Sequence, residues 1–380
     1  MIEFSDKNSL KGLGLMTGTS CDGIDLVFVQ FNSKKKPLVE ILATEFLPYP
    51  KEVNEFLQRC LSEKIHISEL SQFNFYLAEI YAEAIERFIG MKEINKSEID
   101  YVAVHGQTLW HNPRKTEFQG REISSTYQAV NLSALSKIIE LPVIGDFRSG
   151  DIALGGEGAP LVSIFDMEFL AEETEERILL NIGGIANVTY LSKGEFMNAF
   201  DCGPGNTLLD GFSKTVLGKD FDMNGEFASS GNINAEFLDR LLSDEFLHLS
   251  PPKSTGREKY NMQYLAEKIA SQNIPNADVM CTLTEFTAEA ISGNIRQFCK
   301  PESTIIVSGG GRNNTFLMEV LQSKLQNSHF RKIEDFGIPS DYKEAIAFAY
   351  LGYLFLQGKK VNLTKITGAK SSTILGILAI

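Results

Sequence analysis

GLGLMTGTSCDGIDLVFVQF, residues 12–31, reads as two strands joined by a glycine-punctuated turn. Gly12 to Met16 enters the turn. Ile24 to Phe31 leaves it rich in β-branched and aromatic residues, the composition of a strand. Between them, Thr17, Gly18, Thr19, Ser20, Cys21, Asp22 and Gly23 offer small side chains, hydroxyls and closely approachable backbone N–H groups. Those are the parts needed to wrap a phosphate chain. Asp22 and Asp25 add carboxylates able to hold Mg²⁺ directly or through water. The turn is not a Walker loop, because no Gly-Lys-Ser/Thr follows and no helix begins there. It is not a dinucleotide fingerprint, because the next element reads as strand. On these residues alone, a plain hairpin with a polar tip stays open beside the phosphate reading.

The chain's 380 residues suffice for two domains of ordinary size. A hydrophobic content of 43% with 22% charged residues describes a soluble globular protein. The net charge of −13 argues against nucleic acid or an anionic membrane as partner. An anionic ligand must then be met by local cations or backbone donors. The five cysteines show no CxxC or Cys/His ligand spacing, which suits a reduced, cytoplasmic protein without structural zinc. The N-terminus lacks an apolar signal core, and no apolar run reaches membrane-spanning length.

Further along, Val39 to Phe46 reads as a strand and Ile67 to Gly90 as an amphipathic helix. Asp100 to His105 is a buried strand ending in His105-Gly-Gln-Thr108, a polar cluster at a strand's C-terminal end, where α/β folds place ligands. A structural histidine remains the alternative there. Trp110 and His111 are expected to pack beside it. Leu141 to Gly145 is another strand, and Gly155 to Pro160 a sharp turn before a helix with Pro160 in its first turn.

Ile178 to Ile182, Gly183-Gly184 and Ala186 to Leu191 then repeat the opening pattern of strand, glycine turn and strand. Two phosphate-cradling hairpins, one per half, are what a two-lobed phosphotransferase needs, with two unrelated glycine hairpins as the alternative. Asp201 follows, beside a rigid Gly-Pro-Gly corner that can aim a carboxylate for general-base work. Asn206 stands nearer the start of the helix at Thr207 and suits its cap better. A helix is expected from Asn232 to Phe246. Pro251 to Glu258 is a polar, basic loop in an acidic chain, open to an anionic ligand or to solvent. Ser303 to Ser308 is a strand running into Gly309-Gly310-Gly311, a turn on which a ring or ribose can lie against backbone.

Together these residues resemble the anhydro-N-acetylmuramic acid kinase family, within the superfamily that joins hexokinase, actin and the heat-shock chaperone ATPases. The motifs GLMTGTSCDGID, VHGQT, DFRSGDIALGGEGAPLV, NIGGIANVT, FDCGPGN, KSTGRE, SGGGRNN and the Glu344 helix stand in the family's order from Gly14 to about Gly368. The resemblance implies an α/β fold of two lobes, each a ribonuclease-H-like mixed sheet with flanking helices, and an ATP cleft between them. The lobes are expected at 1–157 with 345–380 and at 158–344, with the helices after Gly158 and Glu344 as hinges.

By the same resemblance, Gly18, Thr19, Ser20, Cys21, Asp22, Gly23, Ile24 and Asp25 form the first phosphate loop, with Asp22 and Asp25 toward the metal. Asn181, Gly183, Gly184 and Asn187 form the second. Gly309, Gly310, Gly311 and Asn314 hold the adenosine. Asp201 is the catalytic base, and His105, Arg148, Gly205, Asn206 and Glu344 lie near the sugar. The implied reaction uses ATP, Mg²⁺ and water to open the 1,6-anhydro ring and phosphorylate O6. The partners are then small molecules, with self-association, a homodimer included, left open. The chain departs from the family's usual pattern at Thr17, Cys21, Glu157 and Ala129-Val130-Asn131-Leu132, the last beside the sugar.

Two other readings remain. One is a kinase of an anhydro sugar without the lactyl carboxylate, such as levoglucosan, since Arg148, Lys253 and Arg257 are unranked as receptors of that group. The other is a nucleotide-gated binding protein, which leaves Asp201 beside GPGN without a purpose.

Overall fold

The computed structural model describes residues 9–18, 21–33, 38–257, 259–269, 273–300 and 302–380. Thr19 and Ser20 of the expected first phosphate loop, and Glu258 of the basic loop, lie outside the described residues. The chain divides into two compact units, Met1–Phe165 with Tyr342–Ile380, and Asp166–Asp341. The division falls inside the Val162–Leu170 helix and just before the Lys343–Leu356 helix.

The first unit contains β1 (Ser9–Met16), β2 (Gly23–Asn32), β3 (Val39–Pro48), β4 (Tyr101–Val104), β5 (Gln107–Phe118), β6 (Arg121–Ala129) and β7 (Val143–Gly145). Its main sheet runs β7-β4-β1-β2-β3, with the short strand Ile377–Ala379 added beyond β7. β1, β2 and β3 are antiparallel, while β4 and β7 run parallel to β1 and to each other. Alternation along β1 decides its two faces. Leu13 and Leu15 join Leu26, Phe28, Leu77, Tyr81 and Phe88 in a core under the Ile67–Met91 helix. Fully burying each such side chain contributes about 1.5–3 kcal/mol.

Gly12 and Gly14 lie on the other face. A Cβ on Gly14 would stand 2.2 Å from the carbonyl oxygen of Ala345, and one on Gly12 2.2 Å from the Tyr101 ring. Tyr101 in turn donates to the Ala349 carbonyl at 2.7 Å. These two glycines therefore let the Lys343–Leu356 helix lie directly on β1.

The second unit contains β8 (Glu176–Ile182), β9 (Ile185–Ser192), β10 (Glu195–Pro204), β11 (Thr304–Ser308) and β12 (His329–Lys332), ordered β10-β9-β8-β11-β12. β8, β9 and β10 are antiparallel, and β11 and β12 run parallel to β8 and to each other. This is the order and sense of β3-β2-β1-β4-β7, the ribonuclease-H-like arrangement, present once in each unit. The repeated glycine turn in the sequence is the visible part of that duplication. Ile178, Leu180, Val188, Phe200, Ile305 and Val307 pack with Ile291, Ile295, Leu317 and Leu321 in the core of this unit.

One element stands where none was expected, and three local expectations change. Residues 107–129 form a long β5–β6 hairpin, turning at Gln119 and Gly120 with φ of 52° and 76°. Trp110 stands on that hairpin largely exposed, its indole N–H donating to Ser125 at 3.0 Å. The helix after the Gly155 turn begins at Val162, beyond Pro160. The helix expected from Asn232 to Phe246 breaks into Ala235–Leu242 and a short 3₁₀ turn, Glu245–His248. Two caps inside the run enforce the break: Asn234 accepts the Phe237 N–H and Asp244 the Phe246 N–H, both at 2.9 Å. No helix among the described residues is long and apolar enough to cross a membrane.

Candidate functional site

Parallel pairing of β1 with β4, Leu15 opposite Val104, sets the first glycine turn beside the end of β4. The His105 N–H extends that ladder to the Leu15 carbonyl at 3.1 Å. The turn rests on a buried polar network. Gln107 donates to the Gly18 carbonyl at 3.1 Å and accepts from the Tyr49 hydroxyl at 3.1 Å. Tyr49 meets the Tyr81 hydroxyl at 3.0 Å, and Tyr81 meets the Thr17 hydroxyl at 3.3 Å. The Tyr49 N–H also donates to the Asp22 carbonyl at 3.0 Å. Burial pushes the Tyr81 phenol up to about 12, which keeps it protonated.

Thr17 thus points into the protein, and Gln107, Tyr49 and Tyr81, which sequence reasoning missed, shape the turn. Only Gln107 carried a signal, its place in the polar cluster after β4. Cys21 takes a φ of 58° with its side chain buried, and the Ile24 side chain belongs to the core. Gly23 allows close pairing with β3, since a Cβ there would stand 2.4 Å from the Leu47 carbonyl oxygen.

Asp22 is exposed and Asp25 half-buried, opposite Met16. Among the described residues no three acidic, His or Cys side chains form a metal cage. Two carboxylates flanking a turn do suit Mg²⁺ carried on a nucleotide, where phosphates and waters supply the remaining ligands.

His105, Arg148 and Glu344 come together in the first unit. His105 is buried, and its Nε2 accepts from Arg148 Nε at 3.0 Å and Nη2 at 2.9 Å. An imidazole accepting at Nε2 carries its proton on Nδ1 and is neutral. Burial, then the Arg148 charge, push His105 well below the usual histidine range. Arg148 also donates to the Gly158 carbonyl at 2.6 Å. Its guanidinium is lowered to about 10 by burial, against the opposing pull of Glu344 and Asp151. Glu344 occupies the first turn of the Lys343–Leu356 helix, where the helix dipole favours a carboxylate. Asn131, in the segment that departs from the family pattern, caps the Leu132–Ile139 helix by accepting the Ala134 N–H at 2.9 Å.

In the second unit, the β8–β9 turn is fastened to GPGN. The Asn206 N–H donates to the Gly183 carbonyl at 2.8 Å, and the Gly184 carbonyl accepts from Gly205 N at 2.9 Å and Thr207 Oγ1 at 2.7 Å. A Cβ on Gly205 would stand 2.3 Å from the Gly183 oxygen. Asn206 occupies the N-cap position of the Thr207–Leu217 helix, yet its side chain makes no capping bond. It donates instead to the Ile182 carbonyl at 3.3 Å.

Asp201 lies in β10 opposite Asn187, and a register shift separates it from Gly203. Such bulges re-aim side chains. The Asp201 N–H donates to the Lys253 carbonyl at 3.1 Å, and its Oδ2 accepts the Thr255 N–H at 2.8 Å. Lys253 itself turns inward, donating to the Phe246 and Leu247 carbonyls at 3.2 and 3.0 Å. It anchors the loop. Arg257 is exposed, with Nε 3.1 Å from where a Cβ on Gly184 would stand.

The triple glycine is explained unevenly. Gly309 takes a φ of 83°, and a Cβ on it would stand 2.6 Å from the Ile182 carbonyl oxygen. One on Gly311 would stand 2.3 Å from Ile182 Cγ2. Packing on β8 therefore requires both. Above Gly310 the nearest atom is Asn206 Nδ2 at 3.9 Å. Asn181 accepts from the Ser308 hydroxyl at 3.4 Å. Asn314 caps the Thr315–Lys324 helix, accepting the Leu317 N–H at 3.1 Å.

The anhydro-N-acetylmuramic acid kinase family matches residues 11–380. The anhydro-N-acetylmuramic acid kinase of Vibrio vulnificus (strain CMCP6) is 34% identical over 368 residues, 96% of this chain and 97% of the relative. That of Chromobacterium violaceum is 36% identical over 373 residues, 96% of this chain and 98% of the relative. Among solved structures, the activator of the 2-hydroxyisocaproyl-CoA dehydratase from Clostridium difficile with bound ADPNP is similar at a TM-score of 0.44 and 12% identity. That match covers 92% of this chain and 96% of the other, a likeness too low to argue from. With nearly its whole length matched at this level, the chain belongs to the anhydro-N-acetylmuramic acid kinase family.

Proposed function

We propose that this chain performs the reaction its family is named for. It uses ATP and water to open the 1,6-anhydro ring of anhydro-N-acetylmuramic acid and phosphorylates O6. The products are N-acetylmuramic acid 6-phosphate and ADP, within cell-wall recycling in the cytoplasm, where ATP is supplied. The observation that carries the reading is Asp201, a carboxylate at a strand bulge held by Lys253 and Thr255 backbone.

Asp201 takes a proton from a water as that water attacks C1 of the sugar. The C1–O6 bond breaks through a transition state of oxocarbenium character, as in glycoside hydrolysis. O6 then attacks the γ-phosphorus in line, and ADP leaves with the bridging oxygen. Backbone donors of the Gly18–Asp25 and Asn181–Asn187 turns stabilise charge on the transferring group. Gly310 offers an open backbone face to the adenosine. Mg²⁺, held by Asp22 and Asp25 directly or through water, supplies charge neutralisation when bound with the nucleotide. Arg148, the neutral His105, Glu344, Gly205 and Asn206 orient the sugar.

A coupled assay of ADP release tests the reading. Release should depend on anhydro-N-acetylmuramic acid, with kcat/KM for levoglucosan at least roughly 100-fold lower, the scale of a lost charge-assisted contact. Equal or better use of levoglucosan moves the substrate to an uncharged anhydro sugar. ADP release indifferent to either sugar overturns the kinase reading.

A further inference from the structure

Asp151 is a carboxylate with no exposure at all, in the short Ser149–Ala153 helix. A buried charge costs several kcal/mol unless its oxygens are matched by donors. Both are matched here. Oδ2 accepts the Gly158 N–H at 2.6 Å, and Oδ1 accepts the Thr367 hydroxyl at 2.6 Å, across 216 residues of chain. The Gly155–Gly158 loop wraps this carboxylate so closely that a Cβ on Gly156 would stand 2.3 Å from Oδ2. The C-terminal segment fastens the loop from its other side. Glu157 N–H donates to the Thr367 carbonyl at 2.9 Å, and Lys370 N–H to the Leu154 carbonyl at 3.0 Å.

Gly158 joins this clamp to the sugar-side cluster. Its N–H meets Asp151, while its carbonyl accepts Arg148 Nη1 at 2.6 Å. Between the two peptides Gly158 holds a φ of +68°, a conformation open to glycine. The remaining Arg148 contacts, Nε and Nη2, both fall on His105 Nε2. Fixing the carboxylate thus fixes the loop, the loop fixes the guanidinium, and the guanidinium fixes the imidazole ring.

We propose that Asp151 and Thr367 are positioning residues for the sugar, acting through the Gly158 carbonyl to set the Arg148 guanidinium and the orientation of His105. The inference rests on the reading that Arg148 and His105 orient the sugar. It gives the C-terminal Thr367-Gly368-Ala369 turn a part in substrate recognition.

Thr367→Val tests it, because valine keeps the shape and removes the hydroxyl that Asp151 needs. KM for the anhydro sugar should rise roughly tenfold, the scale of leaving one buried partner unmatched, while KM for ATP stays within about twofold. Thr367→Ser should return the sugar KM to near wild type. Thermal melting of both variants monitors the fold. A lowered melting temperature with the sugar KM unchanged, or both KM values rising together, makes the clamp purely structural and overturns the inference. Arg148→Lys separates the two levels. If it leaves the sugar KM unchanged, the reading of the sugar site fails and the inference with it. If it raises that KM while Thr367→Val does not, the inference alone fails.

Discussion

The backbone N–H of Thr255 donates to Oδ2 of Asp201 at 2.8 Å, and the N–H of Asp201 donates back to the Lys253 carbonyl at 3.1 Å. The carboxylate is therefore held at both its backbone and one oxygen by a single loop. Asp201→Asn should preserve this hold, since the amide oxygen can take the Thr255 N–H. What it loses is the capacity to take a proton. The expected outcome is a kcat lower by about 10²–10⁴-fold with ATP affinity unchanged, measured by coupled ADP release and by calorimetry. Full turnover in this variant removes Asp201 from proton transfer.

Lys253 fixes the loop that fixes Asp201. Its ammonium is buried, serves two carbonyls and lies 4.9 Å from the Phe246 ring centre. Burial lowers its pKa, with the neighbouring Cys202 and Asp201 pulling the other way. Lys253→Met keeps the aliphatic stem and orphans the Phe246 and Leu247 carbonyls, at a cost of about 1–3 kcal/mol. We expect a lower melting temperature together with a kcat decrease of roughly tenfold, smaller than in Asp201→Asn because a base is still present. A destabilised enzyme with unaltered kcat would show that the loop does not aim the carboxylate.

The sequence carried what is local. β1, its turn, β2 and the run from β11 into the triple glycine all announce themselves through short apolar runs bounded by glycine, those of β2 and β11 rich in β-branched or aromatic residues. The β5–β6 hairpin did not, because most of its length is exposed on both faces and so shows no alternation. The Tyr49–Tyr81–Gln107 network and the Asp151–Thr367 pair join residues far apart in the chain, and no local pattern encodes them. Glycines mislead in the same way. Gly12, Gly14, Gly309 and Gly311 are each required by a neighbour that tertiary packing supplies, a demand no local pattern distinguishes from a ligand's. Asn206 was legible as a cap by position, yet its amide serves the Ile182 carbonyl instead.

Gly310 and Gly311 should therefore respond differently to one methyl group. Gly311→Ala drives a Cβ to 2.3 Å from Ile182 Cγ2 and should destabilise the protein by about 1–3 kcal/mol through overpacking. Gly310→Ala meets nothing closer than 3.9 Å and should melt as the wild type does. If adenosine lies on that backbone, Gly310→Ala should still weaken ATP binding by roughly tenfold, a steric cost on the scale of 1.4 kcal/mol. Melting curves with and without nucleotide distinguish the effects. Wild-type affinity in Gly310→Ala places the adenosine elsewhere.

Asp210 offers a pH test in the first turn of the Thr207–Leu217 helix, which the second glycine turn is fastened to. Burial pushes its carboxyl up to about 6, Asp220 adds to the rise, and Lys214 and Arg257 oppose it. Between pH of about 4 and 6 the folded protein then keeps a proton that the unfolded chain has released. By linkage, the stability tied to that proton is fully present below about pH 4 and is lost as pH rises through about 6. Asp210→Asn has no proton to lose. Its melting temperature relative to wild type should climb by a few degrees from pH 4.5 to pH 7.5, the scale of about 1–2 kcal/mol. His105 and His111, both lowered by desolvation and by Arg148, titrate in both proteins and cancel in the comparison. A difference that stays flat across that range means Asp210 is ionised throughout, with Arg257 and Lys214 outweighing its burial.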